Sequence, residues 1–159
     1  MLVVNNTSDE TKSVLVRKSE LAQRMQKLPP LRRVMVIDDN ERDAKHVSVV
    51  LKMLLGAGVQ VTMHRYLAKA VAELQKGQPD LIVLDDHLPP MDRAETSAKA
   101  LQRFGYTGPL IIMTGMLDRS RRLELEKLNP LGLIHKDDLD SFSLSEVLTR
   151  LVKDQGEQA

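Results

Sequence analysis

The chain has 159 residues, 42% hydrophobic and 28% charged, with no Cys, no Trp and four aromatic residues, Tyr66, Phe104, Tyr106 and Phe142. That length holds one ordinary domain of roughly 100–150 residues plus an appendage, and the lack of Cys excludes disulfides, thiolate zinc sites and thiol nucleophiles. Residues 1–33 carry seven Lys/Arg against three Asp/Glu, and residues 34–159 carry 16 against 19, so the body is mildly acidic and offers no electrostatic footprint for nucleic acid.

No apolar run approaches the roughly 20 residues that span a bilayer. The opening Met1–Val4 is too short for a signal-peptide core and runs into polar Asn5–Glu10. A cytoplasmic, non-redox protein is the expectation. The head is basic but holds no aromatic residue to stack on bases.

Pro29-Pro30 marks the clearest boundary, because two prolines in a row deny a helix its donors. Before them, Thr7 and Glu10 have capping-box spacing, and Val14, Leu21, Met25 and Leu28 recur on one face at near-heptad steps. An amphipathic helix over residues 8–28 is predicted. Alone it would be marginal, so it should dock on the body or on a second chain.

After the prolines, short apolar runs alternate with helical periods. Strands are predicted at Val34–Ile37, Val59–His64, Leu81–Leu84, Leu110–Met113 and Leu131–His135. Helices are predicted at Glu41–Leu55, stopped by Gly56 and Gly58, at Leu67–Lys76 with Ala68, Val71 and Leu74 inward, and at Arg93–Phe104 and Arg119–Leu128. A last helix should begin near Ser143, where Ser143 and Glu146 have capping-box spacing, with Leu144, Val147, Leu148, Leu151 and Val152 as its core face.

Strands apolar throughout are buried on both faces, and alternating strands and helices imply a parallel sheet with right-handed crossovers. The expected fold is α/β, a flavodoxin-like doubly wound domain with five parallel strands in the order 2-1-3-4-5 and an extra N-terminal helix. The expected division is a helical extension and linker over 1–32, one domain over 33–154 and a disordered tail over 155–159. Ligands in such sheets bind outside the carboxyl ends of the strands, at the switch point of strand order.

The residues found there are Asp38 and Asp39 after the first strand, Asp85 and Asp86 after the third, Thr114 and Gly115 after the fourth, and Lys136 after the fifth. In that strand order they converge on one shallow pocket. Carboxylates crowded this way repel unless a hard cation joins them, and octahedral Mg²⁺ fits. Such an ion, a hydroxyl and a lysine can surround the equatorial oxygens of a transferring phosphoryl group, with one aspartate as nucleophile. Each residue also has a plainer use. Asp39 or Asn40 can cap the helix that follows, a strand-terminal Thr often serves a turn, and a lone Lys is often solvated. Asp86 and Asp92 are expected to be ordinary loop and surface acids.

Taken together, Val36–Asn40, Asp80–Asp92, Ile112–Gly115 and Ile134–Lys136 resemble the receiver domain of two-component response regulators. The resemblance covers about residues 33–154, with the motifs in order. It implies that Asp85 is the phosphoacceptor, that Asp38, Asp39 and Asp85 bind Mg²⁺ with the backbone carbonyl of His87, and that Thr114 and Lys136 bind phosphoryl oxygens. Departures are equally specific. Arg93 stands where Gly is usual, and Asp137 stands where a cis proline usually follows the lysine. A cis bond before a non-proline costs about 2.5–4 kcal/mol, so a trans bond and a re-routed loop are expected there. Leu133 replaces the usual aromatic switch residue. His87 and Met116 fill the two variable positions that, in the family, tune access of water to the acyl phosphate.

The resemblance implies a stand-alone receiver that accepts a phosphoryl group from a sensor histidine kinase or a histidine phosphotransfer protein. Its chemistry is performed only on itself, so it is not an enzyme, and its output is contact with a downstream protein. Arg119, Arg121 and Arg122 form a basic cluster near acidic Asp137, Asp138 and Asp140, which suits a homodimer through the Arg119–Leu128 helix, the last strand and the last helix; the N-terminal helix is the other candidate interface. Two further classes stay open: a pseudo-receiver that docks a partner without phosphorylation, and a magnesium-dependent phosphohydrolase. The latter usually needs a carboxylate two residues after the nucleophile, and that position is His87.

Overall fold

The computed structural model describes residues 5–90 and 92–157. In chain order its elements are α1 (Asn5–Gln26), β1 (Arg33–Ile37), α2 (Glu41–Leu55), β2 (Gln60–His64), α3 (Leu67–Leu74), β3 (Leu81–Asp85), β4 (His87–Leu88) and β5 (Asp92–Arg93). Then follow α4 (Ala94–Arg103), β6 (Leu110–Thr114), α5 (Arg119–Glu126), β7 (Gly132–His135), a single 3₁₀ turn at Lys136–Asp138 and α6 (Ser141–Glu157). The main sheet is parallel with the order β2-β1-β3-β6-β7, which is the expected doubly wound arrangement. The short antiparallel ribbon of β4 and β5 was not expected from the sequence.

Strand periodicity builds two cores, because successive side chains point to opposite faces. Val34, Val36, Leu81, Val83, Ile111, Met113 and Ile134 face α2 and α6. Met35, Ile37, Ile82, Leu84 and Ile112 face the other way, against buried residues of α3, α4 and α5 such as Leu74, Leu101 and Leu125. Apolar runs therefore have no polar face to show. Each fully buried Leu or Ile contributes about 1.5–3 kcal/mol.

Local signals fix the element ends. Asn40 caps α2 by accepting from the Asp43 N–H at 3.1 Å, and Gly56 closes that helix at φ 92°, a conformation costly for residues with a Cβ. Gly132 serves packing instead: a Cβ there would stand 2.5 Å from Val147 Cγ1, so its absence lets α6 lie close on β7.

Several expectations are corrected. Helix α1 starts at Asn5, which puts Thr7 inside its first turn rather than at the cap. Leu21 of the helix and Leu28 just after it meet the body, while Val14 and Met25 are exposed along with Leu15 and Val16. The body therefore covers only half of the stripe. In α3, Ala70 is buried with Leu74 and Ala68 is exposed, because the inward face follows residues 67, 70, 71 and 74.

The cap of α6 is Asp140, not Ser143. Asp140 Oδ1 accepts from the Ser143 N–H at 2.7 Å, and Ser143 Oγ accepts from the Asp140 N–H at 3.1 Å. Aspartate is as good a cap as serine, and the helix begins two residues earlier than predicted. It runs to Glu157, beyond the domain end expected at residue 154, and residues 158–159 lie outside the described region. Val152, expected on the core face of α6, is exposed.

Helix α1 is tied to α6 by one ring. The Arg24 guanidinium carbon lies 4.0 Å and that of Arg17 5.2 Å from the Phe142 ring centroid, and Arg24 Nη1 donates to the Phe142 carbonyl at 3.0 Å. Among the described residues no helix is long and apolar enough to cross a membrane.

Candidate functional site

Adjacent parallel strands bring their carboxyl ends to one edge, and the acidic residues collect there. Asp85 is the last residue of β3, and Asp38 and Asp39 follow β1 directly. Each offers a carboxylate oxygen within 4.8 Å of the others. Lys136, the first residue after β7, reaches into this group: its Nζ lies 3.2 Å from Asp85 Oδ1, 3.1 Å from Asp38 Oδ2 and 2.9 Å from Asp43 Oδ2. Asp38 also shapes its own turn, because its Oδ1 accepts from the Asn40 N–H at 2.9 Å.

Electrostatics follow from burial and crowding. Asp85 is pushed up to about 7, first by burial and then by the neighbouring Asp38 charge, with Lys136 opposing both. Burial works against the Lys136 charge, but the Asp43, Asp85 and Asp38 carboxylates outweigh it and hold its ammonium above the ordinary lysine range. Three buried or half-buried carboxylates facing one ammonium leave excess negative charge, and an all-oxygen donor set suits a hard divalent cation. These residues fit such an ion.

Asp43 was not foreseen. An acid in the first turn of a helix reads as a complement to the helix dipole, and nothing local tells that it will meet a lysine 93 residues later.

Thr114 stands at the same edge, at the end of β6, but its hydroxyl is bound elsewhere. Its Oγ1 lies 3.1 Å from Asp86 Oδ2 and 3.1 Å from the Met116 carbonyl. Asp86 is no surface acid: it is 1% exposed. It is gripped by Arg121, whose Nε donates to Asp86 Oδ2 at 3.0 Å and whose Nη2 pairs with Asp86 Oδ1. The Ala94 N–H adds a bond to Oδ1 at 3.3 Å. Arg121 also donates to Glu95 at 2.9 and 2.7 Å and to Glu124 at 2.7 Å. Burial disfavours the Asp86 charge, yet Arg121, the Ala94 N–H and Thr114 outweigh it and hold the carboxyl below its usual range.

Arg121 is therefore a buried centre with three acidic partners, which removes it from the surface cluster expected of Arg119, Arg121 and Arg122. Arg119 and Arg122 are exposed, as are Asp137, Asp138 and Asp140. The side chain of Asp92 lies outside the described residues. His87 is exposed in β4, whose register pairs it with Arg93, and Met116 is exposed nearby. Among the described residues the one cis peptide lies at Pro89–Pro90, so the Lys136–Asp137 bond is trans, and the chain after Lys136 forms the 3₁₀ turn.

Residues 34–149 match the model of the response regulator receiver domain family, and the chain belongs to that family. Its fold is similar to that of a response regulator receiver domain protein, CheY-like, from Methanospirillum hungatei, with a TM-score of 0.65 and 19% identity over 81% of this chain and 99% of that one. It is also similar to the signal receiver domain of a modulated diguanylate cyclase from Desulfovibrio desulfuricans, with a TM-score of 0.66 and 21% identity over 81% and 99% of the two chains. The N-terminal domain of a response regulator/sensory box/GGDEF protein from Carboxydothermus hydrogenoformans gives a TM-score of 0.65 and 18% identity over 80% and 98%. No curated protein sequence matches the chain.

Proposed function

We propose that this receiver domain accepts a phosphoryl group on Asp85 from a phosphohistidine of a sensor histidine kinase or phosphotransfer protein. The observation that carries the reading is the cluster of Asp38, Asp39 and Asp85 with Lys136 Nζ 3.2 Å from Asp85 Oδ1. An Asp85 carboxylate oxygen attacks phosphorus, forming a P–O bond as the donor's P–N bond breaks. The electron pair returns to the imidazole nitrogen, which takes a proton. The product is an acyl phosphate. Water later attacks phosphorus and returns the carboxylate and inorganic phosphate, so the domain changes only itself.

Lys136 favours the ionised nucleophile and faces the phosphoryl oxygens with positive charge. Asp38, Asp39, Asp85 and the His87 backbone carbonyl would hold Mg²⁺, which when bound supplies further neutralisation of the carboxylates and of the phosphoryl group. Thr114 would donate to a phosphoryl oxygen. Residues 33–154 form the receiver in this reading and residues 1–32 a docked extension. The protein acts in the cytoplasm, and output passes by contact with a downstream protein. Exposed Arg119 and Arg122 on one element and exposed Asp137 and Asp138 on another are of opposite sign, which suits such contact, including contact with a second copy.

Incubation with a small phosphodonor and Mg²⁺, followed by intact-mass measurement, tests the reading. One phosphate adduct, lost in Asp85→Asn, is expected. No adduct and no donor consumed would favour a docking module, and rapid repeated turnover of the donor without an accumulating adduct would favour a phosphohydrolase.

A further inference from the structure

Lys136 Nζ has three carboxylate partners, Asp43 at 2.9 Å, Asp38 at 3.1 Å and Asp85 at 3.2 Å. An ammonium has three N–H groups and no lone pair, so it can serve all three at once. The partners are not equivalent. Asp38 and Asp85 belong, with Asp39, to the group whose carboxylate oxygens lie within 4.8 Å of one another, and Asp43 stands outside it. Asp38 and Asp85 are also buried, with side chains 3% and 5% exposed, against 32% for Asp43.

The turn between β1 and α2 mounts Asp43 beside that group. Asp38 Oδ1 accepts from the Asn40 N–H at 2.9 Å, and the Asn40 side chain accepts from the Asp43 N–H at 3.1 Å. Two successive hydrogen bonds thus set the place of Asp43 relative to Asp38. From the first turn of α2 its carboxylate meets Lys136, which opens the 3₁₀ turn after β7.

A divalent cation on Asp38, Asp39 and Asp85 changes the balance at the ammonium. The ion takes carboxylates that Lys136 now shares, and its two charges repel the ammonium at close range. Of the three partners, Asp43 alone then keeps its full charge for the nitrogen. We propose that Asp43 is a positioning residue, which holds the Lys136 ammonium at the sheet edge when a divalent cation takes Asp38 and Asp85 and so keeps the lysine from competing with the ion. The inference rests on the proposed Mg²⁺ site. One N–H of Lys136 stays on Asp43, and the two released from Asp38 and Asp85 are free to meet phosphoryl oxygens. Without Asp43 the ammonium stays on Asp38 and Asp85, and the ion has to displace it.

Mg²⁺ affinity tests this without any phosphate transfer. The dissociation constant is measured by amide chemical-shift titration of the full chain with magnesium chloride, in the wild-type protein, Asp43→Asn, Lys136→Met and the double variant. Asp43→Asn should weaken Mg²⁺ binding about tenfold where Lys136 is present, the worth of one charge-assisted hydrogen bond. In the Lys136→Met background the same substitution should weaken it less than about threefold, through the loss of one nearby negative charge. An equal change in both backgrounds, or none in either, would mean that Asp43 does not act through Lys136 and would overturn the proposal.

A crystal structure of the wild-type protein grown with Mg²⁺ needs no variant to fold. With the ion on Asp38, Asp39 and Asp85, Lys136 Nζ should remain about 3 Å from an Asp43 carboxylate oxygen. An ion seated there with Lys136 turned away from Asp43 overturns this inference and leaves the metal site and the phosphoacceptor reading standing. A wild-type protein that binds no Mg²⁺ overturns the inference and the metal site together, and the intact-mass assay for an Asp85 adduct then decides the phosphoacceptor reading separately.

Discussion

Lys136 Nζ stands 3.2 Å from Asp85 Oδ1, joining the last residue of β3 to the first residue after β7. The same nitrogen bridges to Asp38 and Asp43, so one ammonium balances three carboxylates. Removing it leaves those acids facing one another in a half-buried site. Lys136→Met should cost about 2–4 kcal/mol of stability in metal-free buffer at pH 7.5, because breaking a buried pair leaves an uncompensated charge. Urea unfolding measures it. The same variant should accept phosphate from a small donor about a hundredfold more slowly, the usual loss when a charge-stabilising group is removed from a reacting centre.

Asp85 gives a second expectation, in pH. Its folded-state value is about 7 against an ordinary 3.8, so the folded protein holds this proton more tightly than the unfolded chain does. Stability from this group is fully present below about pH 4 and is lost as pH rises through about 7. In buffer with a chelator, Asp85→Asn should therefore gain on the wild-type protein between pH 4.5 and 7.5, by about 1–3 kcal/mol at the upper end. Thermal unfolding of both proteins across that range gives the difference. A constant difference would show that Asp85 ionises as an ordinary carboxylate.

The Arg121 clamp behaves oppositely. Asp86 is held below its usual range, so its contribution is present at neutral pH and fades as pH falls through its depressed folded-state value. Arg121→Ala would strand Asp86, at 1% exposure, with only Thr114 and the Ala94 N–H as partners. A loss of about 3–5 kcal/mol at pH 7 is expected, shrinking in acid once Asp86 of the variant is protonated. Denaturant curves at pH 7 and pH 4 check both the size and the trend.

Helix α1 depends on Phe142. The Arg17 and Arg24 guanidinium groups both lie over its ring, and a partly exposed cation–π contact contributes about 0.5–1 kcal/mol. Phe142→Leu keeps an apolar side chain but removes the ring face. Amide hydrogen exchange of residues 17–26 should quicken several-fold in that variant, while the β1 and β3 amides keep their protection.

The sheet was legible because its strands are apolar on both faces and its helices carry their own periods. Asp38, Asp39, Asp85 and Lys136 could be brought together from sequence because each lies at or just past the carboxyl end of a strand, and parallel strands end at one edge. Asp43, Asp86 and Arg121 could not. Asp43 looks like a helix-dipole complement, Asp86 like the second acid of a loop, and Arg121 like one of three surface arginines; their pairing is set by tertiary packing across 93 and 35 residues. The Asp140 cap was missed for a smaller reason, since Ser143 and Glu146 offered the same spacing three residues later. Of the expected apolar stripe, Leu21 and Leu28 meet the body and Val14 and Met25 do not, because a heptad face shows what a helix can bury and not which partner covers each part of it.

The central claim is tested most directly by locating the phosphoryl group itself. The protein is treated with a small phosphodonor, with Mg²⁺ or with a chelator, and digested under conditions that keep the acyl phosphate for peptide mass analysis. The account predicts a single adduct on Asp85, formed with Mg²⁺ and absent with the chelator. An adduct on Asp38, Asp39 or Asp86, or none at all, would contradict it.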